Sequence, residues 1–201
     1  MIALNNNKDF SNFFTNSKRI LSCYWYSTLE LLAIKTKFFN KLLLKWRTPV
    51  FVKEIKMANI TKNDKILLIG CGIFPTHSII IAQGKNAKVT GIDNSPRAVK
   101  LAKKYVKKIG LSDLIKIKLS DGINYELKDF NVVFIAINVY PINAVLNHLS
   151  ENLRKGSKVI CRSNKNDILL ALKQEKLEKK FTVAKRLQNP RSQSFLLIKK
   201  Q

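Results

Sequence analysis

The sequence predicts an α/β fold, a Rossmann-like doubly wound sheet of seven mostly parallel strands with an N-terminal helical extension. Three observations carry this. From Lys65 onward, short apolar runs alternate with helical stretches, the rhythm of repeated β-α-β units. The run Ile66-Leu67-Leu68-Ile69 has no polar alternation, as expected of a strand buried on both faces. The turn Gly70-Cys71-Gly72 closes that run, where sheets of this kind bind nucleotides.

The elements follow in order. Residues 1–60 read as the helical extension, with bulky apolar residues at Phe10, Phe13, Phe14, Trp25, Leu29, Phe38, Leu42 and Trp46. Lysines at 35, 37, 41 and 45 fall among them, as on an amphipathic helix that packs its apolar side on its own domain. Thr48-Pro49 reads as a helix start, with threonine as cap and proline in the first turn. Residues 61–201 read as the sheet domain. After the first strand comes a helical stretch to Ala82, then Lys88–Ile92 as the second strand. Ser95-Pro96 starts a helix, with serine as N-cap, that runs to a stop at Gly110. Strands follow at 115–117, 131–136 and 157–161, with a helix from Pro141 to Leu153 before the fifth. A helix near 165–178 and two strands near 180–187 and 193–199 close the domain.

Lysine and arginine number 37 against 13 acidic residues, a formal net charge of +24. Lysine dominates and is spread along the chain, which favours solvated faces over the arginine-rich patches of nucleic-acid readers. A nucleic acid stays open as an alternative partner, attracted by charge alone. No apolar run is long enough for a membrane span, and the first residues do not form a secretory signal, so a cytoplasmic protein is expected. Cys23, Cys71 and Cys161 have neither metal-ligand nor disulfide-framework spacing, and no metal site is expected.

Ligands bind such sheets beyond the carboxyl ends of the strands, and four segments should converge there. Gly70, Cys71 and Gly72 let backbone approach a ligand and aim amide donors at it. Asp93 ends strand two, 21 residues after Gly72, where a carboxylate can accept both hydroxyls of a ribose; Asn94 follows it. Asp121 and Gly122 follow strand three, placing an acceptor for an adenine amino group. Ala136, Ile137 and Asn138 leave strand four, on the side of the reacting end. A bare Gly-x-Gly suits NAD equally. The dinucleotide fingerprint, however, needs a third glycine three residues on, and Pro75 stands there. A cofactor without a pyrophosphate fits better, and S-adenosylmethionine is the one expected.

This ordered set, over about residues 60–200, resembles the class I S-adenosylmethionine-dependent methyltransferases, and within them nicotianamine synthase and its relatives. The stretch Gly70-Cys71-Gly72-Ile73-Phe74-Pro75-Thr76-His77-Ser78 is similar to that family's Gly-Ser-Gly-Pro-Leu-Pro-Leu-Thr-Ser loop. It keeps the second proline, Pro75, and the serine, Ser78, while Ile73 replaces the first proline. Asp129 through Ala136 looks like Tyr-Asp-Val-Val-Phe-Leu-Ala-Ala, and His148-Leu149 through Arg162-Ser163 like the family's His-Leu…Pro-Gly…Arg-Ser segment. The resemblance implies S-adenosylmethionine binding by the loops above, with Ile73 and Pro75 included. It also implies a catalytic tyrosine and glutamate. Tyr26 and Glu30, which share a helix face by spacing, are the nearest candidates, against the plainer reading of a core tyrosine beside a surface glutamate.

Three functions follow. The first is transfer of a methyl or aminocarboxypropyl group from S-adenosylmethionine to a small molecule. The second is nucleic-acid methylation, with Asn138 holding the target amine and Tyr140 stacking on the base; the plainer reading of that segment is a loop that starts a helix at Pro141. The third is a non-catalytic nucleotide-binding or membrane-associated module.

Overall fold

The computed structural model describes residues 21, 24–163, 167–190 and 192–200; the aromatic-rich stretch through Phe10, Phe13 and Phe14 lies outside them. A helix over 24–35 (α1) leads into α2 (Lys37–Met57). Then come β1 (Lys65–Ile69), α3 (Thr76–Lys85), β2 (Lys88–Asp93), α4 (Pro96–Lys108), β3 (Ile115–Leu119), β4 (Val132–Ile135) and α5 (Ile142–Asn152). The chain continues through β5 (Lys158–Ser163), α6 (Asp167–Gln174), β6 (Phe181–Asn189) and β7 (Ser192–Lys199).

The seven strands form one sheet in the order β3-β2-β1-β4-β5-β7-β6. The first five are mutually parallel, while β7 runs antiparallel to β5 and pairs with β6 as a hairpin. Strand order reverses between β1 and β4, so the loops after those strands diverge and open a crevice.

The unbroken apolar runs are explained by the two layers they serve. In β1, Ile66 and Leu68 face one core with Leu43 and Ile55 of α2, Ile81 of α3 and Ala102 of α4. Leu67 and Ile69 face the other, with Leu146 and Leu149 of α5 and Ile168 of α6. Period-two alternation thus sends consecutive residues to opposite buried sides.

Ser95 caps α4 as expected: its Oγ accepts from Ala98 N at 3.2 Å and Pro96 occupies the first turn. Gly110 ends that helix with φ +71°. The Thr48-Pro49 reading is corrected. Pro49 lies inside α2, whose N-cap is Thr36, with Oγ1 accepting from Phe39 N at 3.3 Å. A proline in mid-helix removes one backbone donor. Burial of Leu43, Phe51, Ile55 and Met57 on both sides of it holds the helix continuous. The amphipathic reading holds only in part, because Phe38, Leu42 and Trp46, spaced four apart, form an exposed stripe beside exposed lysines. No helix among the described residues is long and apolar enough to cross a membrane.

Gly122 is needed for packing rather than for φ. A Cβ there would sit 2.5 Å from Ile69 Cγ2, a side chain fixed in the core. Gly122→Ala is expected to destabilise by about 1–3 kcal/mol, the usual scale of overpacking. Thermal unfolding at neutral pH checks it, and a melting curve identical to that of the unsubstituted chain contradicts it.

Candidate functional site

A cavity of about 870 Å³ opens over the carboxyl ends of β1 through β5. Its floor begins at Gly70, whose φ of +78° lets the chain turn sharply off β1. Gly70 N and Cys71 N both donate to Ile92 O, at 2.9 and 3.0 Å, pinning the turn to β2. A Cβ on Gly70 would stand 2.7 Å from Val139 Cγ2, so the loops after β1 and β4 approach across the crevice only because this residue has no side chain.

Asp93, at the end of β2, braces the same turn. Its Oδ2 accepts from Gly72 N at 2.9 Å and its Oδ1 from Ser95 N at 3.0 Å. The carboxylate therefore orders both the glycine turn and the start of α4. Each oxygen keeps further acceptor capacity toward the cavity that Asp93 lines. Asp121 Oδ1 accepts from Ile123 N at 3.2 Å, a local turn that presents its carboxylate at the wall.

Glu30 reaches in from α1. Its Oε2 accepts from Ile73 N at 2.9 Å and Phe74 N at 3.3 Å, and its Oε1 pairs with Arg47 Nη1 at 2.8 Å. A Cβ on Gly72 would meet Glu30 Oε2 at 2.7 Å, so the second glycine leaves the room this carboxylate occupies. Tyr26, four residues earlier, lies under the Arg47 guanidinium at 5.6 Å from its ring centroid.

Of the sequence-predicted positions, Tyr26, Glu30, Gly70, Cys71, Gly72, Ile73, Asp93, Asn94, Asp121, Gly122, Ala136, Ile137, Asn138 and Tyr140 all line this one cavity. Pro75 does not. It precedes α3 as its N-cap residue, where its carbonyl accepts from Ile79 N at 3.0 Å. Asn138 and Tyr140 lie on the loop after β4, with Tyr140 62% exposed at the rim, and α5 begins directly after Pro141.

A second group was not legible as a group, although His77 and Arg162 fall in the stretches that resemble the family. Glu54 of α2 is 1% exposed and accepts from Arg162 Nε at 2.9 Å, from Arg162 Nη2 and from Ser194 Oγ. His77 Nε2 lies 2.8 Å from Glu54 Oε2, and the His77 ring stacks on Phe51 with centroids 3.6 Å apart. Arg162 sits 4.4 Å over the other partner of that stack, Phe51. Burial alone would raise the Glu54 carboxyl. The His77 hydrogen bond and the Arg162 charge outweigh it and hold the group at about 2. Burial pushes His77 below its ordinary value, aided by Arg162 and Arg47 and opposed by Glu54. Burial also pushes the Cys71 thiol far up, with Asp93 and Glu30 adding to it, which keeps it an un-ionised wall residue. The available signal for this cluster was an acid placed between Phe51 and Ile55 on the helix face that the core requires.

The strand order, the antiparallel β7 and a cavity built on a glycine turn and an acid ending β2 define the class I S-adenosylmethionine-dependent methyltransferase fold. Solved structures agree at the level of fold. A mutant of MtNAS in complex with S-adenosylmethionine superimposes with a TM-score of 0.75, at 15% identity over 94% of this chain and 76% of that one. An RNA methyltransferase from Salinibacter ruber in complex with S-adenosyl-L-homocysteine gives 0.63, at 19% identity over 76% and 92%. The chain belongs to the nicotianamine synthase protein family, whose model matches residues 39–198. L-histidine 2-aminobutanoyltransferase of Yersinia pestis is 30% identical over 112 residues, 55% of this chain. The chain spans only 41% of that relative's length.

Proposed function

We propose that the cavity binds S-adenosylmethionine and that the chain transfers its aminocarboxypropyl group to an amine of a small molecule. The observation that carries this is the family match over residues 39–198, which takes in the β1 turn, the acids after β2 and β3 and the loop after β4. The residues present fit the cofactor. Asp93 has acceptor capacity left for ribose hydroxyls, and Asp121 offers an acceptor to an adenine amine. No third glycine is placed for a pyrophosphate. When bound, the cofactor supplies electrophilic carbons attached to a sulfonium.

The protein's part is binding, orientation and charge. The pinned Gly70–Gly72 turn and Asp93 fix one end of the ligand, and much of the rate in such transfers comes from that positioning. Glu30, already held by two amides and Arg47, puts a fixed carboxylate beside the turn, suited to a cationic sulfonium or ammonium. Tyr26, Asn138 and Tyr140 line the same cavity and are the side chains it offers to an acceptor. On this reading residues 61–201 hold the cofactor. Helices α1 and α2, from the 1–60 region, wall the acceptor side.

The by-product decides the reaction. Incubation with S-adenosylmethionine and an amino-acid acceptor is expected to release methylthioadenosine, read by chromatography. S-adenosylhomocysteine instead would make the protein a methyltransferase, and neither product would remove the transferase reading.

A further inference from the structure

The Glu54–His77–Arg162 cluster lies against the cavity, yet none of its members is needed to hold an adenosine. His77 and Arg162 both line the cavity wall; Glu54 stands behind them. His77 is also a departure within the family loop quoted above, since that loop carries threonine at this place. The substitution puts a titratable ring where the family loop has a hydroxyl.

The geometry fixes the ring's tautomer. Glu54, held ionised, is acceptor-only, so the ring nitrogen 2.8 Å from its Oε2 must carry a proton. Arg162 Nη2, 3.3 Å from the same nitrogen, is a second donor converging on that carboxylate, not a donor to the ring. A neutral imidazole with Nε2 protonated has a bare Nδ1. That atom makes no hydrogen bond among the described residues, while the stack with Phe51 prevents the ring from turning away. The charged groups around the ring are Glu54 and Arg47 from α2 and Arg162 from β5. Burial, with both arginines, favours the neutral form, and Glu54 opposes them.

We propose that His77 is the proton acceptor of the reaction, taking a proton on Nδ1 from the ammonium of the incoming acceptor while Glu54 orients the ring. In that step one N–H bond of the ammonium breaks and an Nδ1–H bond forms. The lone pair freed on the acceptor nitrogen then makes the new N–C bond. The C–S bond breaks with its electron pair passing to sulfur, which discharges the sulfonium as a thioether. A base oriented by a carboxylate behind it is the general logic of hydrolase triads, applied here to an amine. Proton removal of this kind contributes about a hundredfold or more to a rate. The proposal rests on the transferase reading above.

Two measurements test it, one without turnover. The chain has two histidines, so His148→Gln assigns the pair in a nitrogen-15 spectrum. His77 is expected as the neutral tautomer with Nε2 protonated and Nδ1 bare at pH 7. A proton on Nδ1, or a charged ring at that pH, overturns the proposal. The second uses His77→Gln, whose amide can still donate to Glu54. It is expected to bind S-adenosylmethionine within twofold of the unsubstituted protein by calorimetry. With L-histidine as acceptor, its methylthioadenosine release at pH 7 should fall by about a hundredfold. The loss should shrink steadily toward pH 10, as the acceptor amine deprotonates unaided. Turnover within threefold of the unsubstituted protein and an unchanged pH profile would overturn the role. If the unsubstituted protein forms neither by-product, the transferase reading itself fails, and His77 loses the role with it. That result is distinct from a His77→Gln variant that turns over normally.

Discussion

Glu54→Ala is expected to be the most destabilising single change in the chain, lowering unfolding free energy by about 3–5 kcal/mol. The side chain is 1% exposed and receives hydrogen bonds from Arg162, Ser194 and His77. Removing it leaves the Arg162 guanidinium without its counter-charge, with its side chain only 14% exposed against Phe51 and His77. It also takes the acceptor from the hydroxyl proton of Ser194, a residue 0% exposed, leaving that oxygen only the hydrogen bond it accepts from Asn189 Nδ2. The same group gives stability a defined pH dependence. Its folded value, about 2, lies below its ordinary 4.5, so the ionised form is stabilised by folding. That contribution is complete above pH 4.5 and is lost as pH falls toward 2. Denaturant unfolding at pH 7 and pH 3 checks both statements. The unsubstituted chain should lose stability between them, and Glu54→Gln should lose less. Equal losses in the two proteins would assign the acid sensitivity elsewhere.

Asp93→Ala is the second large effect, read in ligand affinity rather than in folding. Binding of S-adenosylmethionine, measured by calorimetry, is expected to weaken by about 1–3 kcal/mol, the scale of a charged hydrogen bond lost. The structure adds a reason for the upper part of that range. Gly72 N and Ser95 N both lose their acceptor, so the glycine turn and the first turn of α4 loosen together. Unchanged affinity would show that the end of β2 does not touch the ligand.

The part of this protein that its sequence determines by itself is the part written in local chemistry. Ile66 through Ile69 must be a doubly covered strand because no residue in it can face water. Ser95-Pro96 and Gly110 bound α4 through their own backbone preferences. Gly70, Gly72, Asp93 and Asp121 follow strands at the spacings that sheets of this kind use for adenosine, so their meeting in one cavity was foreseeable. Thr48-Pro49 misled because proline carries the same local signal at a helix start and inside a helix held by tertiary contacts. Pro75 falls outside the cavity lining and stands at the start of α3, a placement its motif position does not specify.

Only the tertiary structure decided the rest. Glu54, His77, Arg162 and Ser194 come from α2, α3, β5 and β7, separated by up to 140 residues in the chain. No periodicity links them: His77 and Arg162 fall in stretches that resemble the family, while Glu54 and Ser194 each read alone as an ordinary polar residue beside apolar neighbours. They become a cluster because the crossover after β1 lays α3 against α2, and because β7 enters antiparallel beside β5, setting Ser194 opposite Arg162. Their surroundings then change their chemistry: the His77 hydrogen bond and the Arg162 charge outweigh burial and hold Glu54 ionised, while burial pushes His77 below its ordinary value, and no one-dimensional pattern carries either property.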